Sequence, residues 1–324
     1  MEVALFFASF LGILLSAELF TNAVEEIGER LNLSHGVVGS LLAAIGTALP
    51  ETLVPIVALL LGSPEAKEEI ANGAIVGAPF MLATLGFAVV GLGALFRGDR
   101  EINTNTYLIK RDLLFFLLFF PPALLLALID APHWLKVAVA IALLLGYIYY
   151  VLHVIREGGE QVEADEPLHF SKYLRMPETL ATAVIQFIAS LFVLLVSVEV
   201  FVHSLEALSV YFGISPLVFS LLVSPVATEL PEKFNSFFWA LKGKYELAFG
   251  NITGAMVFQS TIPVSIGLIF TAWDIGRPGL IAGFLALLGA LMVLSQIGIK
   301  NKLYSLLLVG NGFLYLLYAF LVLS

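Results

Sequence analysis

The chain has 324 residues, of which 60% are hydrophobic and 13% are charged, with a formal net charge of −9 and no cysteine. Soluble domains usually carry about 25% charged residues, and so few charges could not cover a soluble surface of this size, which excludes a soluble enzyme or a disordered chain. The negative charge argues against nucleic acid as a partner, and the lack of cysteine excludes disulfides and thiolate metal sites.

Such a chain is expected to use the lipid bilayer as part of its solvent. A hydrocarbon core about 30 Å thick requires a helix of about 20 mostly apolar residues, and the alternation typical of a membrane β-barrel is absent. The sequence therefore predicts an all-α integral membrane protein with ten transmembrane helices. These helices are predicted at residues 3–24, 36–61, 70–96, 107–129, 133–155, 178–206, 214–242, 245–271, 279–298 and 303–323.

The longest hydrophilic segment, residues 156–177, is acidic and contains glycine and proline, as linkers do. It divides the chain into two predicted five-helix units, residues 1–155 and 178–324, and leaves no room for a soluble regulatory domain. With the N-terminus outside, most lysines and arginines fall in cytoplasmic loops, and the outer loops hold only Lys67, Lys136 and Arg277. Because cytoplasmic loops are enriched in basic residues, we expect an outside N-terminus and a cytoplasmic linker.

The two units resemble each other in sequence. Residues 33–51 (LSHGVVGSLLAAIGTALPE) align with residues 214–232 (ISPLVFSLLVSPVATELPE), and residues 70–78 align with residues 247–255. The matches include Glu, Thr, Pro and Gly, which general apolar similarity would not reproduce. Units with five helices each cross the membrane in opposite orientations. Inverted repeats of this kind are characteristic of secondary transporters, whose substrate site lies near the midplane between the repeats.

Two glutamates occupy equivalent positions near the middle of the second and seventh predicted helices, Glu51 and Glu232. A carboxylate there costs about 3 kcal/mol even on lenient insertion scales. Its presence in both repeats favours a functional role over an interhelical pair that only holds the helices together. Pro50 and Pro231 immediately precede the glutamates and are expected to kink or break the helices, which frees carbonyl oxygens.

Further oxygen atoms surround these glutamates in the predicted helices. Thr47 and Thr228 lie one turn earlier on the same helix face, and Asn251 adds an amide on the eighth predicted helix. Carboxylate, hydroxyl and carbonyl oxygens are ligands for hard cations such as Ca²⁺ and Na⁺. No histidine or sulfur ligand is nearby, which argues against zinc and copper. The sequence therefore predicts a cation site in the middle of the membrane.

The hexapeptides GTALPE (46–51) and ATELPE (227–232) resemble the paired signature repeats of the cation/Ca²⁺ exchanger superfamily, which includes the sodium/calcium exchangers. The resemblance extends over both repeats and the linker. It implies secondary-active Na⁺/Ca²⁺ exchange by alternating access, with Glu51 and Glu232 binding Ca²⁺ and Thr47 and Thr228 helping to bind Ca²⁺ or Na⁺. It implies no cofactor, only the transported ions.

The sequence departs from the superfamily pattern at several positions. The signature serine is Ala48 in the first repeat and Glu229 in the second, and Pro79 and Met256 replace the asparagine or aspartate of the following signature segment. The replacements at 79 and 256 remove oxygen ligands, so the sequence does not determine which ion is exchanged for Ca²⁺. Ca²⁺/H⁺ exchange is therefore the alternative, because a buried carboxyl group can exchange a metal ion for a proton.

Glu229 and Lys233 change the charge of the predicted site. With Glu51, Glu229 and Glu232 ionised and Lys233 protonated, the cluster sums to −2 and matches one divalent cation. We consider Glu229 a further metal ligand. Two readings of Lys233 stay open: it takes the place of a bound monovalent cation, or it points away and extends toward an aqueous edge.

Three further sets of residues match between the repeats. Gly73 with Gly77, and Gly250 with Gly254, have the spacing that permits close helix packing. Ser34 and Ser215 are predicted N-caps, and Glu18 and Glu199 are expected nearer to the membrane interface.

A cation channel and an intramembrane enzyme are less favoured functions. Channel filters are usually rings assembled from several copies, whereas the duplication here is internal. An aspartate pair, an HExxH motif and a phosphate-binding pattern are all absent from the sequence. The expected partners are metal cations and the lipid bilayer. The compactness of the chain favours a multi-pass protein of a prokaryotic plasma membrane.

Overall fold

The computed structural model describes residues 2–30, 43–157, 167–300 and 302–323, and these residues form a helical protein with one short two-stranded sheet. In chain order the elements are α1 (Glu2–Arg30), α2 (Ala43–Leu61), α3 (Lys67–Met81), a π-helical turn (Leu82–Gly86), α4 (Phe87–Arg97), β1 (Glu101–Ile102), α5 (Thr106–Leu128), α6 (His133–Glu157), α7 (His169–Leu174), α8 (Leu180–Phe212), α9 (Pro216–Thr228), α10 (Leu230–Leu241), α11 (Tyr245–Gln259), α12 (Ile262–Phe270), α13 (Gly276–Lys300), β2 (Leu303–Tyr304) and α14 (Ser305–Leu323).

Eight helical segments of the described chain are long and apolar enough to cross a membrane. They are Glu2–Gly28, Lys67–Arg97, Thr106–Leu128, His133–Val154, Leu180–Phe212, Tyr245–Phe270, Gly276–Gly298 and Ser305–Leu323. Large apolar side chains such as Phe7, Leu15 and Phe192 are more than half exposed on their outer faces, as expected where helices contact lipid. The chain is therefore a multi-pass integral membrane protein.

The remaining two predicted transmembrane helices contain the signature motifs. The first part of the segment 36–61, together with the predicted cap Ser34, lies outside the described residues, and its described part is α2. The segment 214–242 is divided at Glu229 into α9 and α10. Ten spans and the inverted orientation of the repeats thus stay predictions.

The motif prolines act differently in the two repeats. α10 begins at Leu230 with Pro231 in its first turn, so the predicted break occurs in the second repeat. A proline there is favourable because its missing N–H would have no helical partner. In the first repeat, α2 continues through Pro50 and Pro55, so the helix does not break there, and a kink stays a prediction. A proline removes only one hydrogen bond, and a helix held by its neighbours can continue past it. The predicted N-cap of α9 is confirmed, because Ser215 accepts a hydrogen bond from the amide of Val218.

Helices of the two predicted repeats pack against each other. α1 lies along α8, α3 packs on α9, and α4 packs on α10 and α14. The α3–α9 contact depends on glycine: a Cβ atom would lie 2.5 Å from the carbonyl oxygen of Leu217 at Gly73, and 2.4 Å from that of Leu221 at Gly77. Close packing is confirmed for this pair. At Gly250, by contrast, no described atom beyond its chain neighbours and its own helical backbone lies within 4 Å of such a Cβ.

Part of the predicted linker is structured. α7 lies against α1 and α8, because the amide of His169 donates to Asn22 Oδ1 at 2.9 Å and the amide of Phe170 donates to Gln186 Oε1 at 2.8 Å. β1 and β2 pair antiparallel, with Glu101 opposite Tyr304, and join the connection after α4 to the start of α14. These contacts tie distant parts of the chain together.

Candidate cation site

Glu51 lies on α2 and is buried, with 6% of the residue exposed. Neither carboxylate oxygen makes a hydrogen bond with another described residue. Glu229, Glu232 and Lys233 are close enough to interact with it electrostatically. A buried carboxylate without a partner costs several kcal/mol, so the structure around Glu51 favours the binding of a cation or a proton.

Glu229 is placed by the turn between α9 and α10, and its side chain is 2% exposed. Oε2 lies 3.1 Å from the ammonium nitrogen of Lys233, and Oε1 accepts a hydrogen bond from Gln259 Nε2 at 2.7 Å. Both oxygens of this carboxylate therefore have partners within the protein, in contrast to those of Glu51.

Lys233 points into the cluster of carboxylates and not toward an aqueous edge. Its side chain is only 2% exposed, and its position four residues after Glu229 places both side chains on one side of the helical turn. The ammonium nitrogen lies 3.8 Å from Glu232 Oε2. It donates hydrogen bonds to the side-chain and backbone oxygens of Asn251 at 3.3 and 3.4 Å.

Asn251 connects α10 and α11. Its amide nitrogen donates to Ser236 Oγ at 2.9 Å and to the backbone oxygen of Glu232 at 3.4 Å. Because its side-chain oxygen accepts from Lys233, this oxygen faces the ammonium group. Ser236, one turn after Glu232, is a polar partner that the motif comparison did not single out.

Glu232 is the most accessible carboxylate of the cluster, with 26% of its side chain exposed. Glu18 on α1 is close enough to interact with it electrostatically. The side chain of Glu18 is 71% exposed, and His169 Nε2 of α7 lies 3.3 Å from its Oε1. Glu18 thus lies between the cluster and His169 of α7 in this chain of charged groups.

The predicted hydroxyl ligands differ in how far the structure describes them. Thr228 is buried at the end of α9 and donates to the backbone oxygen of Ser224 at 3.1 Å. The side chain of Thr47 lies outside the described residues. Pro79 and Met256 are both buried in α3 and α11, and neither side chain contains an oxygen.

In the described part of the chain, no three histidine, aspartate or glutamate side chains come close enough together to hold a metal ion on their own. A cation at Glu51 would therefore need backbone carbonyl or hydroxyl oxygens besides carboxylates, a combination that Ca²⁺ and Na⁺ accept. Pro231 leaves the carbonyl group of Ala227 without its usual helical donor. Ala227 lies about one helical turn before Pro231 and Glu232, so its carbonyl oxygen is a candidate ligand of this kind.

A further buried carboxylate, Asp112 on α5, belongs to a separate polar network. It accepts hydrogen bonds from Thr253 Oγ1 at 2.7 Å, Tyr150 Oη at 3.1 Å and Arg111 Nη2 at 2.9 Å. Thr253 lies two residues after Asn251, so the network holds α11 against α5 and α6. The adjacent Arg111 and Asp112 within an apolar segment are the sequence signal that could have identified it.

The fold and the buried charges define a multi-pass membrane transporter for cations. The family model described as sodium/calcium exchanger protein matches residues 1–156 and 182–324. The chain therefore belongs to this family, and the resemblance to the cation/Ca²⁺ exchanger superfamily is confirmed.

Known proteins are similar to the chain in sequence, and solved structures are similar to it in fold. The putative antiporter CaxA of Alkalimonas amylolytica is 28% identical over 319 residues, which cover 94% of each chain. The inner membrane protein YrbG of Escherichia coli is 23% identical and is matched over 82% of its length. In fold, the chain is similar to the H⁺/Ca²⁺ exchanger CAX, with a TM-score of 0.76 and 17% identity over 99% of this chain and 82% of that one. It is also similar to the sodium-calcium exchanger NCX_Mj, with a TM-score of 0.61 and 21% identity over 100% and 98%.

Proposed function

We propose that this protein is a secondary-active antiporter that exchanges Ca²⁺ for Na⁺, with its ion site between Glu51 and Glu232 near the membrane midplane. The observation that carries the proposal is the buried carboxylate of Glu51, which has no hydrogen-bond partner among the described residues. A chain that retains such a group at a signature position of an exchanger family uses it to bind a transported cation. The plasma membrane of a prokaryote is the proposed location.

The charge of the cluster supports exchange. Three carboxylates and one ammonium group, from Glu51, Glu229, Glu232 and Lys233, sum to −2. An uncompensated charge in a low-dielectric interior is costly. Each occluded state is therefore stable with one Ca²⁺ or with two monovalent cations, and the empty protein is not. If the site can open to the other side of the membrane only while it holds ions, the protein exchanges ions and does not let them leak.

The proposed roles follow the position of each residue. Glu51 and Glu232 bind Ca²⁺ directly, and Thr47 and Thr228 contribute hydroxyl oxygens. Glu229 adds charge, and Asn251 positions Lys233. Inverted repeats that move against each other around the fixed site would open it to each side in turn. The interruption at Glu229 supports this, because the backbone hydrogen bond that Pro231 cannot donate makes this turn easier to bend.

Exchange of Ca²⁺ for protons is the second candidate. The observation that favours it is the absence of side-chain oxygens at Pro79 and Met256, both of which are buried beside the site helices. Fewer oxygen ligands disfavour Na⁺, whereas a proton needs only a carboxylate. A transport measurement must therefore decide whether Na⁺ or H⁺ is exchanged for Ca²⁺.

The test is Ca²⁺ uptake into proteoliposomes. We expect uptake under an outward Na⁺ gradient at equal pH, its loss in Glu51→Gln, and unchanged uptake in Glu246→Gln, a matched control at an exposed position of α11. Uptake driven by a pH gradient in the absence of Na⁺ would show that the protein exchanges Ca²⁺ for H⁺ and not for Na⁺. Absence of Ca²⁺ flux under either gradient would contradict Ca²⁺ antiport.

A further inference from the structure

The ammonium group of Lys233 lies in an oxygen-lined position like that of a bound cation. Within 3.8 Å it has Glu229 Oε2, both oxygens of Asn251 and Glu232 Oε2. Two carboxylates, one amide oxygen and one backbone oxygen are the oxygen types that bind hard metal cations. The side chain is almost fully buried, so water does not complete this shell.

Lys233 and Glu229 are present in one repeat only. The aligned positions of the first repeat are Ala48 and Thr52, which carry no charge. A carboxylate and an ammonium group thus occur together in the second repeat and are missing together from the first. The pair adds no net charge to the site, but it places a positive charge permanently among the oxygens.

We propose that Lys233 is a tethered cation that fills one cation position of the exchanger, so that Ca²⁺ binds without a co-bound monovalent cation. This inference rests on the proposed function. Because the charge left to compensate is −2, one Ca²⁺ exchanges for two monovalent cations, and the exchange moves no net charge across the membrane. The alternative is an ion pair that only stabilises the turn between α9 and α10.

The two explanations differ in what happens when the ammonium group is removed. Without it the cluster would be −3, and bound Ca²⁺ would leave a buried charge of −1. Such a charge is costly, so the vacated position would take up a monovalent cation from solution together with Ca²⁺. A merely structural ion pair predicts lower stability without any new dependence on monovalent cations.

The experiment measures the Ca²⁺ affinity of the purified full-length protein by calorimetry at fixed pH and ionic strength, in choline chloride and then in KCl. For the wild type we expect equal affinity in both salts. For Lys233→Met we expect KCl to raise the affinity at least about fivefold, the lower end of usual binding couplings. The double variant Lys233→Met/Glu229→Gln restores −2 and should lose the effect of K⁺.

Lys136→Met is the matched control, because Lys136 is also buried but donates to the backbone oxygen of Ala272 and makes no contact with the described side chains of Glu51, Glu229 or Glu232. No effect of K⁺ is expected in it. If Lys233→Met binds Ca²⁺ equally well in both salts, or if the double variant keeps the effect, the tethered-cation proposal is wrong. If the wild type binds no Ca²⁺ at all, the proposed function itself fails.

A second measurement needs only the wild type and covers the case in which Lys233→Met does not fold. Proteoliposomes are clamped at different membrane potentials with a permeant cation and its ionophore, and the rate of Ca²⁺ uptake is compared. Exchange of one Ca²⁺ for two monovalent cations predicts the same rate at every potential. A rate that changes severalfold with potential would overturn the proposal.

Discussion

The buried ion pair of Glu229 and Lys233 should be much more strongly coupled than an exposed one. Its atoms are 3.1 Å apart and both side chains are 2% exposed. With an effective dielectric constant of about 20, the attraction is about 5 kcal/mol. Removing Lys233 leaves the buried carboxylate of Glu229 without its cationic partner, and we expect Lys233→Met to cost about 3–5 kcal/mol of unfolding free energy. Glu229→Gln should cost less, because Lys233 keeps Glu232 Oε2 at 3.8 Å.

The double variant should cost much less than the two single variants together. Removing both charges leaves neither unpaired, and replacement of a buried pair by neutral groups is often close to neutral in stability. For a chain of this size, 1 kcal/mol corresponds to about 2 °C in unfolding temperature. We therefore expect Lys233→Met to unfold about 6–10 °C lower and the double variant to regain most of that loss.

The assay is thermal unfolding of the purified protein in a buffer without Ca²⁺, Na⁺ or K⁺, so that no ion fills a vacated position. Glu101 and Lys302 form the matched control pair. Their atoms are closer, at 2.5 Å, but both side chains are 46% exposed, and exposed pairs contribute about 1 kcal/mol or less. If the exposed pair proves as strongly coupled as the buried one, burial is not what strengthens Glu229–Lys233, and the reasoning fails.

Three further changes probe the site and its support. Glu51→Gln should abolish Ca²⁺ binding in calorimetry without lowering the unfolding temperature, because it removes a buried charge that no described residue pairs; a destabilised variant would show that Glu51 is structural. Gly77→Ala should cost about 1–3 kcal/mol, because its Cβ would lie 2.4 Å from a carbonyl oxygen of α9. Gly310→Ala, where no described atom lies within 4 Å, should not lower the unfolding temperature, and equal losses would contradict the packing argument. Thr253→Val removes a 2.7 Å hydrogen bond to buried Asp112 and should cost about 1.5–3 kcal/mol, since the acceptor is charged; an unchanged unfolding temperature would show that this network does not hold α11.

The class of protein and its most important carboxylates follow from local sequence. With 13% charged residues, the chain could not cover the surface of a soluble fold of its size. A glutamate within an apolar segment is too costly to occur twice at matched positions without a function. Helices in a bilayer satisfy their own backbone, so apolar length alone locates most of them. These properties depend on composition and short motifs, not on how the helices are arranged.

The arrangement decided what the motif residues contact. The spacing between Glu229 and Lys233 allows an ion pair, but only the packing of α10 on α11 turns the ammonium group toward Asn251 and away from water. Sequence alone could not choose between these directions, because helical periodicity fixes which side chains share a face and not what the face meets. The same limit applies to the glycines: Gly77 and Gly250 belong to the same repeated pattern, yet only Gly77 meets a described neighbour, α9, at close range.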